Sequence, residues 1–320
     1  MLTVTRLVLM LVLVTSSLYA GAASFPTKPV RLVVSFTPGG TLDIVARLVA
    51  AKLQEGWGQS VIIENRIGAN GALGVEYVVR STPDGHILLY NAALIVVTQQ
   101  LQRTTFDVNR DLVPVVQTTE YWHVLAAHTK TGVSTIAELF ELARKQPGRL
   151  NYGSGGTGSG LHLYMERVKN AAKIDITHIP YKGSAPAMQA LMAGEVDMVF
   201  DSTSGMLPMI KSGKVRPLMV TGEKRLEVLP NVPIMESIIP GIGTDSGWHG
   251  IFAPAGTPMD VVNKIASDVR TAVLSPDLST RFREIEFKPT GLGPERFGEM
   301  VRRDYDRWSK LIRENNIRAD

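Results

Sequence analysis

Leu150-Asn151-Tyr152-Gly153-Ser154-Gly155-Gly156-Thr157-Gly158-Ser159-Gly160-Leu161-His162 is the stretch on which the reading of this chain turns. Gly153, Gly155, Gly156, Gly158 and Gly160 have only Ser154, Thr157 and Ser159 between them. Residues 149–152 read as a short strand, and residues 161–172 carry Leu161, Tyr164, Met165 and Val168 at helical spacing. A glycine-rich turn from strand to helix gathers backbone N–H groups at the positive end of a helix dipole, and such a turn holds an anion without a charged side chain. Other readings compete. Gly153, Gly155 and Gly158 match the dinucleotide fingerprint G-x-G-x-x-G, but the acidic residue expected about 20 positions on is Asp175, which opens the next strand. A phosphate loop needs Gly-Lys-Ser/Thr at its end, and no lysine lies between Arg149 and Lys169. A flexible loop is the plain alternative. A nest for a carboxylate or other small anion is the preferred reading, and the remaining loops decide it.

Residues 1–23 read as a secretory signal peptide. Arg6 precedes an apolar run over residues 7–14, and small residues follow to an Ala20-Gly21-Ala22 cleavage site, with Ala23 as a close alternative. The run is too short to be a permanent membrane span. The chain has no cysteine, which excludes a disulfide framework and a lipid-anchored amino terminus. An exported chain of this kind rests on its core, and 44% hydrophobic residues over 320 positions suffice for one. The length predicts two domains. The formal net charge is +4, but lysine and arginine are scattered and no basic run of five occurs, so nucleic acid is not an expected partner.

From Pro29 the chain alternates strand, loop and helix, which predicts an α/β architecture with largely parallel sheets. Strands are expected at 30–36, 61–63, 86–91, 113–116, 122–127, 175–180, 196–200, 215–221 and 248–253. Helices are expected at 44–53, with Ile44, Leu48, Val49 and Leu53 on one side, and at 73–80, 135–145 (capped by Ser134) and 187–192. Three more close the chain at 259–274, 278–286 and 294–315. The last carries Phe297, Val301, Tyr305, Trp308 and Leu311 as an apolar stripe, read as core. No internal repeat or low-complexity segment is present.

Ligands of open α/β sheets bind in loops at the carboxyl ends of strands. Here those loops are 36–43, 91 onward, 154–159, 181–185 and 201–204, each rich in glycine or hydroxyl residues. Two such sets across a cleft would surround a small polar ligand with N–H groups and hydroxyls, and a hinged pair of domains can close on it. Catalytic constellations are lacking: no serine sits in G-x-S-x-G, and the six histidines show no zinc-ligand spacing. Metals, cofactors and an enzymatic role are therefore not expected. His162, in the first turn after the glycine loop, is the histidine retained as a site candidate. Asp43 is read first as a helix cap; for Asp201, capping and a ligand contact through water or backbone stand level.

The chain also resembles the Bug family, the extracytoplasmic receptors of tripartite tricarboxylate transporters. The resemblance rests on Lys28-Pro29-Val30-Arg31, Ser35-Phe36-Thr37-Pro38-Gly39-Gly40 up to Asp43, Glu64-Asn65-Arg66 with Gly68-Ala69, and Pro83-Asp84-Gly85. It continues through Leu150-Asn151-Tyr152-Gly153-Ser154, Tyr181-Lys182-Gly183-Ser184-Ala185-Pro186-Ala187 and Phe252-Ala253-Pro254-Ala255-Gly256-Thr257-Pro258. These occur in the family's order over nearly the whole mature chain. Departures are Ile67 for a usual proline, Asn70 for a usual glycine, Thr41-Leu42 before the aspartate, and no Asn-Pro within residues 94–102.

The resemblance implies a two-domain periplasmic-binding-protein fold of type II kind. Residues 24–122 with 249–320 would form a discontinuous domain I, and 123–248 domain II, with the ligand between them. It implies a soluble, monomeric periplasmic protein that binds a small organic carboxylate and delivers it to membrane transporter subunits. Phe36, Thr37, Pro38, Gly39, Gly40, Thr41, Asp43 and Asn91 are the ligand candidates from the first domain. Ser154, Gly155, Gly156, Thr157, His162, Tyr181, Lys182, Gly183, Ala185, Asp201 and Ser202 are those from the second. A periplasmic sensor that presents its ligand to a signalling partner is one alternative. An exported enzyme acting on a phosphorylated substrate or nucleotide is another.

Overall fold

A computed structural model describes residues 25–102, 104–243, 246–314 and 317. The proposed signal peptide, residues 1–23, lies outside the described residues. Among the described residues two mixed sheets organise the chain, one with its strands in the spatial order 288–292, 112–121, 247–254, 87–92, 30–34 and 61–65, the other in the order 177–180, 151–154, 198–202, 123–128 and 215–220.

The first sheet starts with β1 (Val30–Val34), whose Val-rich run is buried at four of its five positions and lies between two parallel partners, β2 (Val61–Asn65) and β3 (Ile87–Ala92). Branched, apolar residues on both faces suit a central strand covered on each side. Helix α1 (Thr41–Trp57) joins β1 to β2 and buries Leu42, Val45, Ala46, Val49, Ala50 and Leu53. That spacing is the helical repeat of one face. It rotates the buried stripe away from the one expected around Ile44, which is 45% exposed. Gly58, with φ 63°, ends the helix in the left-handed conformation that favours glycine and donates its N–H to the Gln54 carbonyl. Helices α2 (Ala72–Val79), α3 (Ile95–Leu101) and α4 (Val108–Asp111) follow, and β4 (Leu112–Tyr121) is the last strand before the chain changes sheet.

Only Trp122 separates β4 from β5 (His123–His128), which pairs antiparallel with both its neighbours in the second sheet. Helix α5 (Ile136–Lys145) is capped by Thr135, not Ser134: the Thr135 hydroxyl accepts from the Glu138 N–H at 3.2 Å. Glu138 in turn accepts from the Ser134 N–H at 2.6 Å, so the reciprocal capping arrangement is displaced by one residue. Strands β6 (Asn151–Ser154), β7 (Thr177–Pro180) and β8 (Met198–Ser202) are parallel where they pair, and helices α6 (Gly160–Ala172), α7 (Ser184–Ala193) and α8 (Thr203–Lys211) each begin at or shortly after a strand end. Strand β9 (Val215–Val220) completes the sheet, and the short α9 (Met235–Ile238) lies on the way back.

Strand β10 (Gly247–Pro254), buried along its whole length, re-enters the first sheet between β3 and β4 and is antiparallel to both. Helices α10 (Met259–Val273), α11 (Pro276–Glu284) and α12 (Pro294–Glu314) pack on that sheet, against β4 and the edge strand β11 (Lys288–Leu292). The sheets are therefore mixed and not largely parallel: β4, β5, β9, β10 and β11 pair antiparallel. Strands β5 and β10 are each entered from the other sheet, without the helical crossover that keeps strands parallel within one sheet, and both lie antiparallel to their neighbours.

One apolar core continues between the two sheets. Tyr164 of α6 stacks on Phe200 of β8 and meets Trp308 of α12 edge-on, with ring centres 5.2 Å apart. Trp248 of β10 is fully buried and donates its indole N–H to Asp304 of α12 at 2.7 Å. Among the described residues no helix is long and apolar enough to cross a membrane.

Candidate functional site

Loops from both sheets line one cleft of about 620 Å³. From the first sheet come Phe36, Thr37, Gly40, Thr41 and Leu42, with Leu94, the residue before α3, and Val97 and Leu101 of that helix. From the second come Gly155, Gly158, Ser159 and Gly160, then Lys182, Gly183 and Ser184, then Asp201 and Ser202. The amino-terminal ends of α1, α6, α7 and α8 therefore meet at the cleft, each presenting the positive end of a helix dipole.

Their caps differ. Ser159 of α6 accepts from the His162 N–H at 3.3 Å, and Ser202 of α8 accepts from the Gly205 N–H at 3.4 Å. The caps of α1 and α7 are Gly40 and Gly183, which have no side chain to do the same. In α1 the first helical bond is Ile44 N–H to Gly40 carbonyl at 3.0 Å, so the N–H groups of Thr41, Leu42 and Asp43 precede it. Gly183 has φ 108°, a conformation open to glycine at little cost. The glycine loop rests on this first turn. The Gly183 N–H donates to the Gly155 carbonyl at 3.3 Å, and a Cβ on Gly155 would lie 3.3 Å from the Ser184 nitrogen.

Of the residues singled out in sequence, Phe36, Thr37, Gly40, Thr41, Gly155, Lys182, Gly183, Asp201 and Ser202 line the cleft. Pro38, Gly39, Asp43, Asn91, Ser154, Gly156, Thr157, His162, Tyr181 and Ala185 do not. Several of the latter shape the loops that do. Asp43 is buried and turns its carboxylate to the Gly39 N–H at 2.9 Å, to Arg47 at 2.8 Å and to Asn65 at 2.9 Å. Burial works to raise its pKa; the bonds from Arg47, Gly39 and Asn65 outweigh burial and hold the carboxyl below its ordinary value. Asn91 is buried, with its amide donating to Ser35 at 3.3 Å and accepting from the Ala92 N–H at 2.8 Å. Ser154 is buried on Gly156 and on His178 at 2.7 Å. His162 accepts from the Gly158 N–H at 3.1 Å and stacks on His178 at 4.2 Å, so it holds the nest together from below.

Asp201 is buried at the cleft and accepts from the Ser184 hydroxyl, the Ser202 N–H at 2.6 Å and the Ser202 hydroxyl at 3.1 Å. Burial raises its pKa against those bonds. The hydroxyl protons of Ser184 and Ser202 are thus turned toward Asp201.

The back of the cleft was not foreseen. Tyr121, His123, Tyr164, His249 and Trp308 form a continuous aromatic floor. Tyr121 lies between His123 and His249, at 5.3 and 4.9 Å, and His123 meets Tyr164 at 4.7 Å. Burial pushes His123 down to about 4 and His249 down to about 3, so both are neutral at neutral pH. Asp304 and Arg307 of α12 also reach the cleft, bonded to each other at 3.0 Å. Among the described residues, no group of three or more His, Cys, Asp or Glu side chains is placed to hold a metal.

The chain is similar to known proteins over most of its length. Residues 45–317 match TctC, the tripartite tricarboxylate transporter family receptor. A relative from Pseudomonas sp. (strain P51), the UPF0065 protein in the tcbD-tcbE intergenic region, is 35% identical over 300 residues, 93% of this chain and 89% of that one. The solved structure of Rpa4515 from R. palustris with adipate superposes with a TM-score of 0.82 at 34% identity, covering 92% of this chain and 100% of that one. MatC (Rpa3494) from Rhodopseudomonas palustris, with bound malate, gives 0.78 at 30% identity and covers 90% and 100%.

Proposed function

The chain belongs to the tripartite tricarboxylate transporter receptor family, and on that premise we propose that it is a periplasmic receptor that captures a small organic carboxylate between its two domains and delivers it to the membrane subunits of a transporter. Structural neighbours hold adipate and malate, both carboxylates. The observation that carries the reading within this chain is the pair of glycine-capped helices, α1 and α7, that line one cleft from opposite sheets. A carboxylate oxygen at each first turn takes the place of the missing side-chain cap. Residues 24–122 with 249–320 act as one domain and 123–248 as the other, and closure brings Gly40 and Thr41 toward Gly155 and Gly183.

A thermal-unfolding screen of the secreted protein tests the reading. A ligand at about 100 times its dissociation constant adds roughly 2.7 kcal/mol of stability. Carboxylates are expected to raise the melting temperature and nucleotides to leave it unchanged; a response to nucleotides alone overturns the reading in favour of an enzyme.

A further inference from the structure

We propose that the carboxylate this cleft takes is a monocarboxylate with an aromatic body, its charged end at α1 and α7 and its ring against Tyr121, His123, Tyr164 and Trp308. This rests on the carboxylate reading above and narrows it. Two observations lead here. The first is the floor, where rings run unbroken from His249 through Tyr121, His123 and Tyr164 to Trp308. Leu94, together with Val97 and Leu101 of α3, adds apolar surface to the same cleft. A flat apolar body gains contact and stacking there, whereas a hydrated chain gains neither.

The second is charge. Among the described lining residues, the formally charged side chains are Lys182 and Arg307 against Asp201 and Asp304, two of each sign. The floor histidines are neutral. Helix dipoles at the glycine caps add attraction for an anion at the loops that open α1 and α7. A second carboxylate, as on malate or adipate, gains nothing from the rings, and at α12 it meets Asp304. At Asp304 it would compete for Arg307, which already donates to that residue. Charge placed against apolar rings without a partner is disfavoured.

The test is calorimetric titration of the secreted full chain with benzoate, phenylacetate, malate, adipate and citrate at one ionic strength. At least one aromatic acid should bind tenfold or more tightly than every aliphatic acid. Tyr121→Leu should weaken that aromatic acid at least fivefold and leave the weak aliphatic acids unchanged. Leu94→Asn, at a half-buried position lining the same cleft, serves the same purpose should Tyr121→Leu lower the melting temperature. If an aliphatic di- or tricarboxylate binds as tightly as the aromatic acids, the inference is overturned while the carboxylate reading stands. If no carboxylate binds, both fall.

Discussion

Gly155→Val should abolish ligand capture while leaving the fold intact. A Cβ at this position meets the Ser184 nitrogen at 3.3 Å and the Gly183 carbonyl carbon at 3.4 Å, closer than an ordinary van der Waals contact. One methyl, as in Gly155→Ala, needs a shift of a few tenths of an ångström, and affinity should fall by less than about tenfold, or about 1.4 kcal/mol. The branched valine adds two more carbons against the same backbone and pushes the first turn of α7 away from the ligand. A hydrogen bond to an ionised group contributes about 1.5–3 kcal/mol. Losing two costs about 3–6 kcal/mol, roughly two to four orders of magnitude in dissociation constant. Lys182 is exposed at the same rim. Its removal should cost about 1 kcal/mol or less, the range of a solvent-screened ion pair. Calorimetric titration of both variants, with thermal unfolding to confirm folding, decides the matter. Intact binding in Gly155→Val together with abolished binding in Lys182→Ala would refute the dipole account.

Acid should destabilise the protein through its floor. His123 and His249 have folded pKa values of about 4 and about 3, below an ordinary 6.5, so the unfolded chain binds more protons in that interval. Stability should be full above pH 6.5 and fall as pH drops toward 4, by about 1.4 kcal/mol per pH unit for each histidine. Melts of a His123→Gln/His249→Gln double variant should show a shallower slope. Asp43→Ala should lower stability by about 1–3 kcal/mol by removing the acceptor of Arg47, Asn65 and Gly39. Because its folded pKa lies below the ordinary 3.8, the ionic part of that loss should be full above pH 3.8 and shrink as pH falls through the folded value; a loss that stayed constant on acidification in urea titrations would contradict it. Gly247→Ala places a Cβ 2.3 Å from the Tyr121 ring and should cost about 1–3 kcal/mol by overpacking, read as a lower unfolding midpoint.

Local chemistry was legible in the sequence, and long-range placement was not. Glycines before Thr41 and Ser184 announce turns that open helices, and both turns line the cleft, because a glycine signature acts on its own backbone. The floor is different. Gly247 faces Tyr121 in the β10–β4 register, and His249 pairs with Thr119 across the same strands. No local pattern links residues so far apart, so His123 and His249 were not among the site candidates while His162 was. Trp308 read as core from its helical stripe and is core, yet the same ring closes the cleft. Strand β11 went unrecognised because Pro289 and Gly291 interrupt it; its pairing with β4 carries a register shift at that point. The α1 stripe was misplaced because Ile44, although apolar, sits one position outside the repeat of Leu42, Val45, Ala46 and Val49.

The central claim is that backbone N–H groups at two glycine-capped helices hold the ligand's carboxylate. A crystal structure of the protein with its bound carboxylate tests this most directly. Carboxylate oxygens are predicted within about 2.7–3.2 Å of first-turn nitrogens in both α1 and α7. Oxygens paired instead with Lys182 or Arg307, with the two first turns left to solvent, would contradict it.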